Sequence, residues 1–323
     1  MKKLVFIIPY FGKFNNYFQL FLNSCAKNPD IDWLIFTDDK RNFNYPKNVI
    51  VNYISFNEVK NRFQRYFDFK INLEFPYKLC DFKPTYGLIF EEYIKKYKFW
   101  GHCDTDLIWG NINKFITDKM LADYDKIGIL GHCTIYKNTK YINNLFKKSL
   151  NGLEIYKKVY TSNQGYAFDE EFNNSINNIF EQEKCKIYYK EMQANIYTKS
   201  SDFRLTNLNK DKKTYSIEEN KKAFFVWDNG HIYRYIYINN KVEKHEYLYI
   251  HMQSRKMNIH LLNINTNRFK IIPNSFDELE VLEINKKNFH NIRRKYFNLH
   301  YFKLRSKNLY IKIKRRLTGY YNS

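Results

Sequence analysis

An α/β fold, with a mostly parallel central sheet and helices on both faces, is predicted by three observations. Short apolar runs of strand length alternate with amphipathic stretches of helical period through the first third of the chain, the pattern of βαβ units. At 323 residues and 44% hydrophobic content, the chain can bury a large core. Acidic residues gather where the apolar runs end, and ligands of parallel sheets bind outside the carboxyl ends of the strands.

Leu4 to Ile8 reads as a buried strand ended by Pro9. Phe14 to Ala26 predicts a helix with Phe14, Phe18, Phe21 and Leu22 on one face. Asp32 to Asp39 and Val49 to Ile54 are the next strands. Phe56 to Phe69 has the pattern of an amphipathic helix, and Pro84 opens another that runs to Tyr97, proline being favoured in a first turn. Phe99 to Cys103 then continues as a strand into Asp104-Thr105-Asp106. Strand alternation points Asp104 and Asp106 to one side, where two acids can share a hard divalent cation. The alternative is that Asp106 caps the next helix.

The second half is less regular. Lys126 to Tyr136 reads as a strand, Thr139 to Leu150 as a helix, and Asp169-Glu170-Glu171 as the start of a helical stretch to Glu183. Asp228-Asn229-Gly230 between two apolar runs predicts a hairpin, and Glu246 to Met252 a further strand. The basic stretch Lys286 to Leu317 places Phe289, Ile292, Tyr296, Leu299 and Phe302 at near-helical spacing. Such a helix can lie on an anionic membrane, each cation gaining about 1 kcal/mol near the surface, or simply dock on its own protein.

The net charge of +21 favours anionic partners, although lysine and asparagine richness also reflects base composition. Five cysteines, odd in number and without a C-x-x-C pair, point to a reducing compartment rather than to disulfides or zinc. The apolar run after Met1 is too short for a signal peptide, and no stretch reaches the roughly 18 apolar residues of a membrane span, so a cytoplasmic location is expected.

Five segments in this order carry a family resemblance. They are Val5-Phe6-Ile7-Ile8-Pro9-Tyr10, Leu34-Ile35-Phe36-Thr37-Asp38-Asp39, Tyr77 to Pro84, Trp100 to Asp106, and His251-Met252-Gln253-Ser254-Arg255-Lys256-Met257. Together they resemble GT-A-type glycosyltransferases of bacterial surface polysaccharide biosynthesis. The resemblance implies a Rossmann-like catalytic domain over residues 1–270, followed by a basic segment over 271–323. It implies that Asp104 and Asp106 carry Mn²⁺ or Mg²⁺ on the diphosphate of a UDP-linked sugar, with His251 completing the coordination. Arg255 or Lys256 would hold the leaving phosphate, and Pro9, Tyr10 and Asp38 the nucleoside. Asp81 and Lys83 would meet phosphate or sugar hydroxyls, Asp81 being equally a helix N-cap.

An inverting transfer needs a base, for which Asp169 and Glu170 are the candidates; a solvated helix start explains them as well. His132 lines the acceptor site or is structural. The acceptor would be a capsule, lipopolysaccharide or related glycan, lipid-linked at the inner membrane face, where the basic C-terminus would hold the protein peripherally. Two other classes compete. A basic nucleic-acid-binding protein is disfavoured because the cations are dispersed and the aromatics sit in core-like segments, so no nucleic-acid partner is expected. A metal-dependent phosphotransferase or nuclease would gather more acids.

Overall fold

The computed structural model describes residues 2–295 except 171, 201, 210 and 212, together with 299, 302, 303, 305, 306, 309, 310 and 313. The first half supplies strands β1 (Leu4–Pro9), β2 (Ile31–Thr37), β3 (Val49–Tyr53), β4 (Phe99–Cys103), β5 (Leu107–Trp109), β6 (Lys126–Leu130) and β7 (Cys133–Lys137). Beyond them come β8 (Ile187–Tyr188), β9 (Ala194–Asn195), β10 (Thr206–Leu208), β11 (Tyr215–Ile217), β12 (Lys222–Asp228), β13 (His231–Ile238) and β14 (Lys241–Tyr247). The last four are β15 (Tyr249–His251), β16 (Asn258–His260), β17 (Arg268–Ile272) and β18 (Ser275–Glu278).

A seven-stranded sheet of order β3-β2-β1-β4-β7-β6-β8 forms the centre. Strands β1 to β4 are mutually parallel, β7 runs against both β4 and β6, and β8 is parallel to β6. The mixed α/β architecture with a parallel-rich sheet is therefore present, β7 alone running the other way. In β1, Val5 and Ile7 enter one core and Leu4, Phe6 and Ile8 the other, as period-2 side chains must. Helix α1 (Phe18–Ala26) covers the second face through Phe18, Phe21 and Leu22, and helix α2 (Phe56–Gln64) the first through Val59 and Phe63. Burying each such phenylalanine stabilises the fold by about 2–3 kcal/mol.

A six-stranded sheet, β14-β13-β12-β17-β18-β16, packs alongside. Its β12–β13 hairpin turns at Asn229 and Gly230, both with positive φ (49° and 86°), as the Asn-Gly pair predicts. A three-stranded sheet, β5-β15-β9, bridges the two larger ones. Tyr17 and Leu20 of α1, Ile108 of β5 and Ile250 of β15 pack there with Phe225, Trp227 and Ile271.

Several elements differ from the sequence reading, each for a local reason. Lys126 to Tyr136 is a hairpin rather than one strand: Gly128 adopts φ 85°, the register shifts, and the chain reverses at Gly131-His132. The helix expected from Pro84 begins upstream, in helix α3 (Leu79–Phe82), and continues as short turns past Pro84, which has no N–H to donate. Thr139 caps a helix of only Lys140–Asn143, because Asn143 turns inward to accept the Trp100 indole N–H at 2.7 Å. The stretch expected to run from Glu246 to Met252 divides as the chain passes from β14 in one sheet to β15 in another.

The six-stranded sheet crosses residue 270 and ends at Glu278, so the basic segment starts beyond it. Phe289 and Ile292 are buried on Phe224, Val226 and Ile272, which makes them core rather than a membrane-facing stripe. Tyr296, Lys312, Lys314, Arg315 and Arg316 of the expected basic helix lie outside the described residues. Among the described residues, no helix is long and apolar enough to cross a membrane.

Lys126 sits fully buried on β6, its ammonium donating to Asn177 Oδ1 between the rings of Tyr136 and Phe180. Burial pushes its pKa down to about 7, with Asp169 and Glu181 pulling weakly upward. Between that value and the ordinary lysine range, the unfolded chain binds more protons than the folded one, so stability rises with pH. Urea denaturation at pH 7 and 9 should show the wild type gaining on Lys126→Met by up to about 1.4 kcal/mol per pH unit.

Candidate functional site

The carboxyl ends of β1, β4 and β6 open on one cleft of about 1590 Å³, lined among others by Pro9, Tyr10, Asp104, Asp106, Gly131 and His251. Asp104 and Asp106 lie not on a strand but in the turn between β4 and β5. They reach one locus because backbone bonds fold that turn. The Asp104 N–H donates to His132 O at 3.0 Å, and Asp106 O accepts the Met252 N–H at 3.0 Å. Asp106 is no helix cap; its Oδ2 accepts the Ser254 N–H.

His251, on β15, completes a cluster with the two aspartates in which one ligand atom from each residue lies within 4.8 Å of the others. Its Nε2 stands 3.5 Å from Asp106 Oδ1 and 4.0 Å from Asp104 Oδ2. Its Nδ1 is 2.9 Å from Oδ1 of Asn195, the residue paired with it across β9 and β15. Gln253 Nε2 donates to the same oxygen at 2.7 Å, which marks it as the acceptor. Nδ1 therefore carries the ring proton, and the Nε2 lone pair is left for the carboxylate side. This is the arrangement of a metal-ligating histidine with its supporting partner. Two carboxylate oxygens and one imidazole nitrogen form a donor set that fits a divalent cation.

Without such an ion the histidine and the aspartate pair with each other. Burial alone would raise the Asp106 carboxyl, but His251 and the Ser254 N–H bring it below the ordinary value. Burial alone would lower His251, and Asp106 raises it instead.

Beneath Asp104 lies Lys83, whose ammonium donates to Asp104 Oδ1 at 2.9 Å and Gly131 O at 2.8 Å and sits 3.4 Å from Asp169 Oδ2. Asp169 is buried, and that burial pushes its carboxyl up to about 7 against the pull of Lys83. Glu170 Oε2 accepts the Gly131 N–H at 2.8 Å. The two acids thus close on the β6–β7 turn, where an added Cβ at Gly131 would meet Asp169 at 2.4 Å. They occupy a turn, and the helix begins later at Ile176, capped by Ser175; Glu171 lies outside the described residues.

The remaining expected site residues divide. Pro9 and Tyr10 line the cleft, the Tyr10 ring stacking on Phe14 at 4.5 Å. Asp38 does not line it: its carboxylate accepts the Gly12 N–H at 2.8 Å and shapes the loop after β1. Asp81 is neither an N-cap nor free for a sugar. It is buried, and its oxygens accept the Tyr166 and Phe168 N–H groups at 3.1 Å and the Lys78 ammonium at 2.7 Å. Arg255 turns its guanidinium to Ser200 O (3.0 Å), Asn274 Oδ1 (3.2 Å) and the Phe203 ring, whereas Lys256 is exposed on the cleft wall. His132 is buried, bonded through Nδ1 to Tyr249 Oη at 2.9 Å, and its ring lies 4.2 Å from that of His251. It is a buttress for His251, kept neutral first by burial and then by the His251 charge. Asn195 carries no sequence signal, since nothing around Gln193-Ala194-Asn195 marks a motif.

Fold and site together define an α/β protein with a two-carboxylate, one-histidine cluster at the carboxyl edge of its central sheet. The chain belongs to the family described as a family of unknown function (DUF6625), whose profile matches residues 6–280. No curated protein matches it by sequence. Among solved structures it is similar to the galactosyltransferase LgtC in complex with donor and acceptor sugar analogues. That similarity has 12% identity and a TM-score of 0.33, and covers 60% of this chain and 75% of that one. An active-site mutant of LgtC gives 13% identity and a TM-score of 0.32, with 60% and 74% covered.

Replacing Lys83 with methionine leaves the buried Asp169 carboxyl without its cation. Lys83→Met should cost about 3 kcal/mol in urea denaturation at pH 7.5. The loss should be larger at pH 8.5 than at pH 6, because Lys83 holds the Asp169 pKa down and its removal raises it further, so that above about 7 only the wild-type carboxyl ionises.

Proposed function

We propose that the protein is a metal-dependent glycosyltransferase that moves a sugar from a nucleoside diphosphate donor, UDP-linked, to a bacterial surface glycan such as capsule or lipopolysaccharide. The observation that carries this reading is the convergence of Asp104, Asp106 and His251 at the cleft, with Asn195 holding the His251 ring so that Nε2 faces the carboxylates. Carboxylate oxygens suit both Mn²⁺ and Mg²⁺, and the imidazole nitrogen favours Mn²⁺ of the two. The ion, when bound, supplies positive charge against the diphosphate that departs from the sugar.

The chain's own residues would do the rest. Asp104 and Asp106 hold the ion through carboxylate oxygens and His251 through Nε2. Lys83 orients Asp104. Pro9 and Tyr10 flank the nucleoside, and Lys256 meets phosphate at the rim. Glu170 is our choice of proton acceptor for an inverting transfer, because Asp169 is covered and tied to Lys83. The reading carries with it a cytoplasmic protein whose basic segment beyond residue 280 meets the anionic inner face of the membrane and a lipid-linked acceptor.

Calorimetric titration with UDP tests the donor site. Affinity should be at least about tenfold higher in Mn²⁺ than in chelator, a difference of about 1.4 kcal/mol, and Asp106→Ala or His251→Ala should abolish that gain. Equal affinity with and without the metal would overturn the reading. Asn195→Ala should weaken Mn²⁺ binding by about 10–100-fold while leaving the three ligands in place.

A further inference from the structure

The cleft is larger than one donor needs. Its volume is about 1590 Å³, whereas a site for one drug-sized ligand takes roughly 300–1,000 Å³. Beside the metal cluster and the end of β1, a second set of side chains lines the same cleft. Phe75 and Tyr77 come from the turn that leads into helix α3, Tyr215 from β11, and Thr198 and Thr206 from the chain around β10.

Three of these are aromatic: Tyr77 is 78% exposed, and Phe75 and Tyr215 are each 41% exposed, the Tyr215 ring packing on Phe172 at 5.0 Å. Exposed apolar surface gathered in a cleft marks a binding site. The turn that presents Tyr77 is held rigidly, because the next residue, Lys78, is buried and donates to Asp81 at 2.7 Å and to Gln164 O. The Tyr77 phenol is raised above the ordinary tyrosine value by Cys80 and by partial burial, with Lys83 opposing and Glu170 and Asp104 adding to the rise. Asp104 and Glu170, the candidate base, line the same cleft as Tyr77.

We propose that Tyr77, Phe75 and Tyr215 form an acceptor subsite for a neutral oligosaccharide, whose pyranose rings lay their C–H faces on the aromatic rings while their hydroxyls meet Thr198 and Thr206. This rests on the glycosyltransferase reading. The chemistry fits a sugar better than the other occupants of aromatic clefts. A lipid tail needs a continuous apolar groove, and Thr198, Thr206, Asn195 and Lys256 line this cleft as well.

Full-length protein is tested on an array of neutral bacterial-type oligosaccharides and, in parallel, by titration with UDP and Mn²⁺. The wild type should retain at least one oligosaccharide class. Tyr77→Ala should lose that retention by more than about tenfold, or 1.4 kcal/mol. Tyr77→Phe should keep it, since the ring face and not the hydroxyl carries the contact. Thermal melting shows that both variants are folded, and both should bind UDP with Mn²⁺ as the wild type does. Retention of no oligosaccharide by the wild type, or wild-type retention by Tyr77→Ala, overturns the subsite. Tyr77-dependent retention by a protein that fails to bind UDP with Mn²⁺ supports the subsite and strikes the donor reading instead.

Discussion

A buried ammonium needs acceptors on every side that water has left, and Lys83 finds them on three separate loops. Asp104 comes from the turn after β4, Gly131 O from the β6–β7 turn, and Asp169 from the turn before the Ile176 helix. One cation thereby sets the relative positions of segments far apart in sequence. Because Gly131 O and the Asp169 carboxyl sit in buried places, neither can withdraw without leaving the ammonium uncompensated, while Asp104 keeps part of its surface open to the cleft. The orientation of Asp104, and hence the spacing of the candidate metal ligands, depends on this contact.

The other side of the site is tied down by backbone. The three-stranded sheet puts β15 between β5 and β9, so His251 lies beside Leu107 on one strand and Asn195 on the other. The same connection lets the residues after His251 return N–H groups to Asp106. Gln253 and Ser254 hold positive φ values of 49° and 55° to make that return. Two consecutive left-handed residues without glycine are strained, which suits a segment held by the contacts it makes. The six-stranded sheet behind it supplies apolar backing for β15 through Ile250 and Phe225.

Much of the frame was legible in the chain. The strands of the first third, the acids at their ends and the Asn-Gly hairpin follow from periodicity and turn chemistry, which act over a few residues. Asp104, Asp106 and His251 were legible as candidates, each being an unusual polar residue at the end of an apolar run. Asp38 satisfied the same rule and Asp81 was legible as an acid at a helix start, yet both serve loops instead, for a carboxylate can equally accept nearby backbone N–H groups. The Lys126–Tyr136 stretch shows the limit from the other direction. Continuous apolarity does not distinguish one long strand from two that fold back on each other.

What the sequence determined alone is the alternation that builds a parallel-rich α/β sheet and the stock of acids and histidines at its edge. Tertiary structure decided which of them meet. Asn195 beside His251, Lys83 under Asp104, and Asp169 driven toward neutrality by burial all arise from pairings between distant segments. Local patterns carry propensity and polarity, whereas a ligand set or a shifted pKa depends on distances and dielectric surroundings that exist only once the chain has closed.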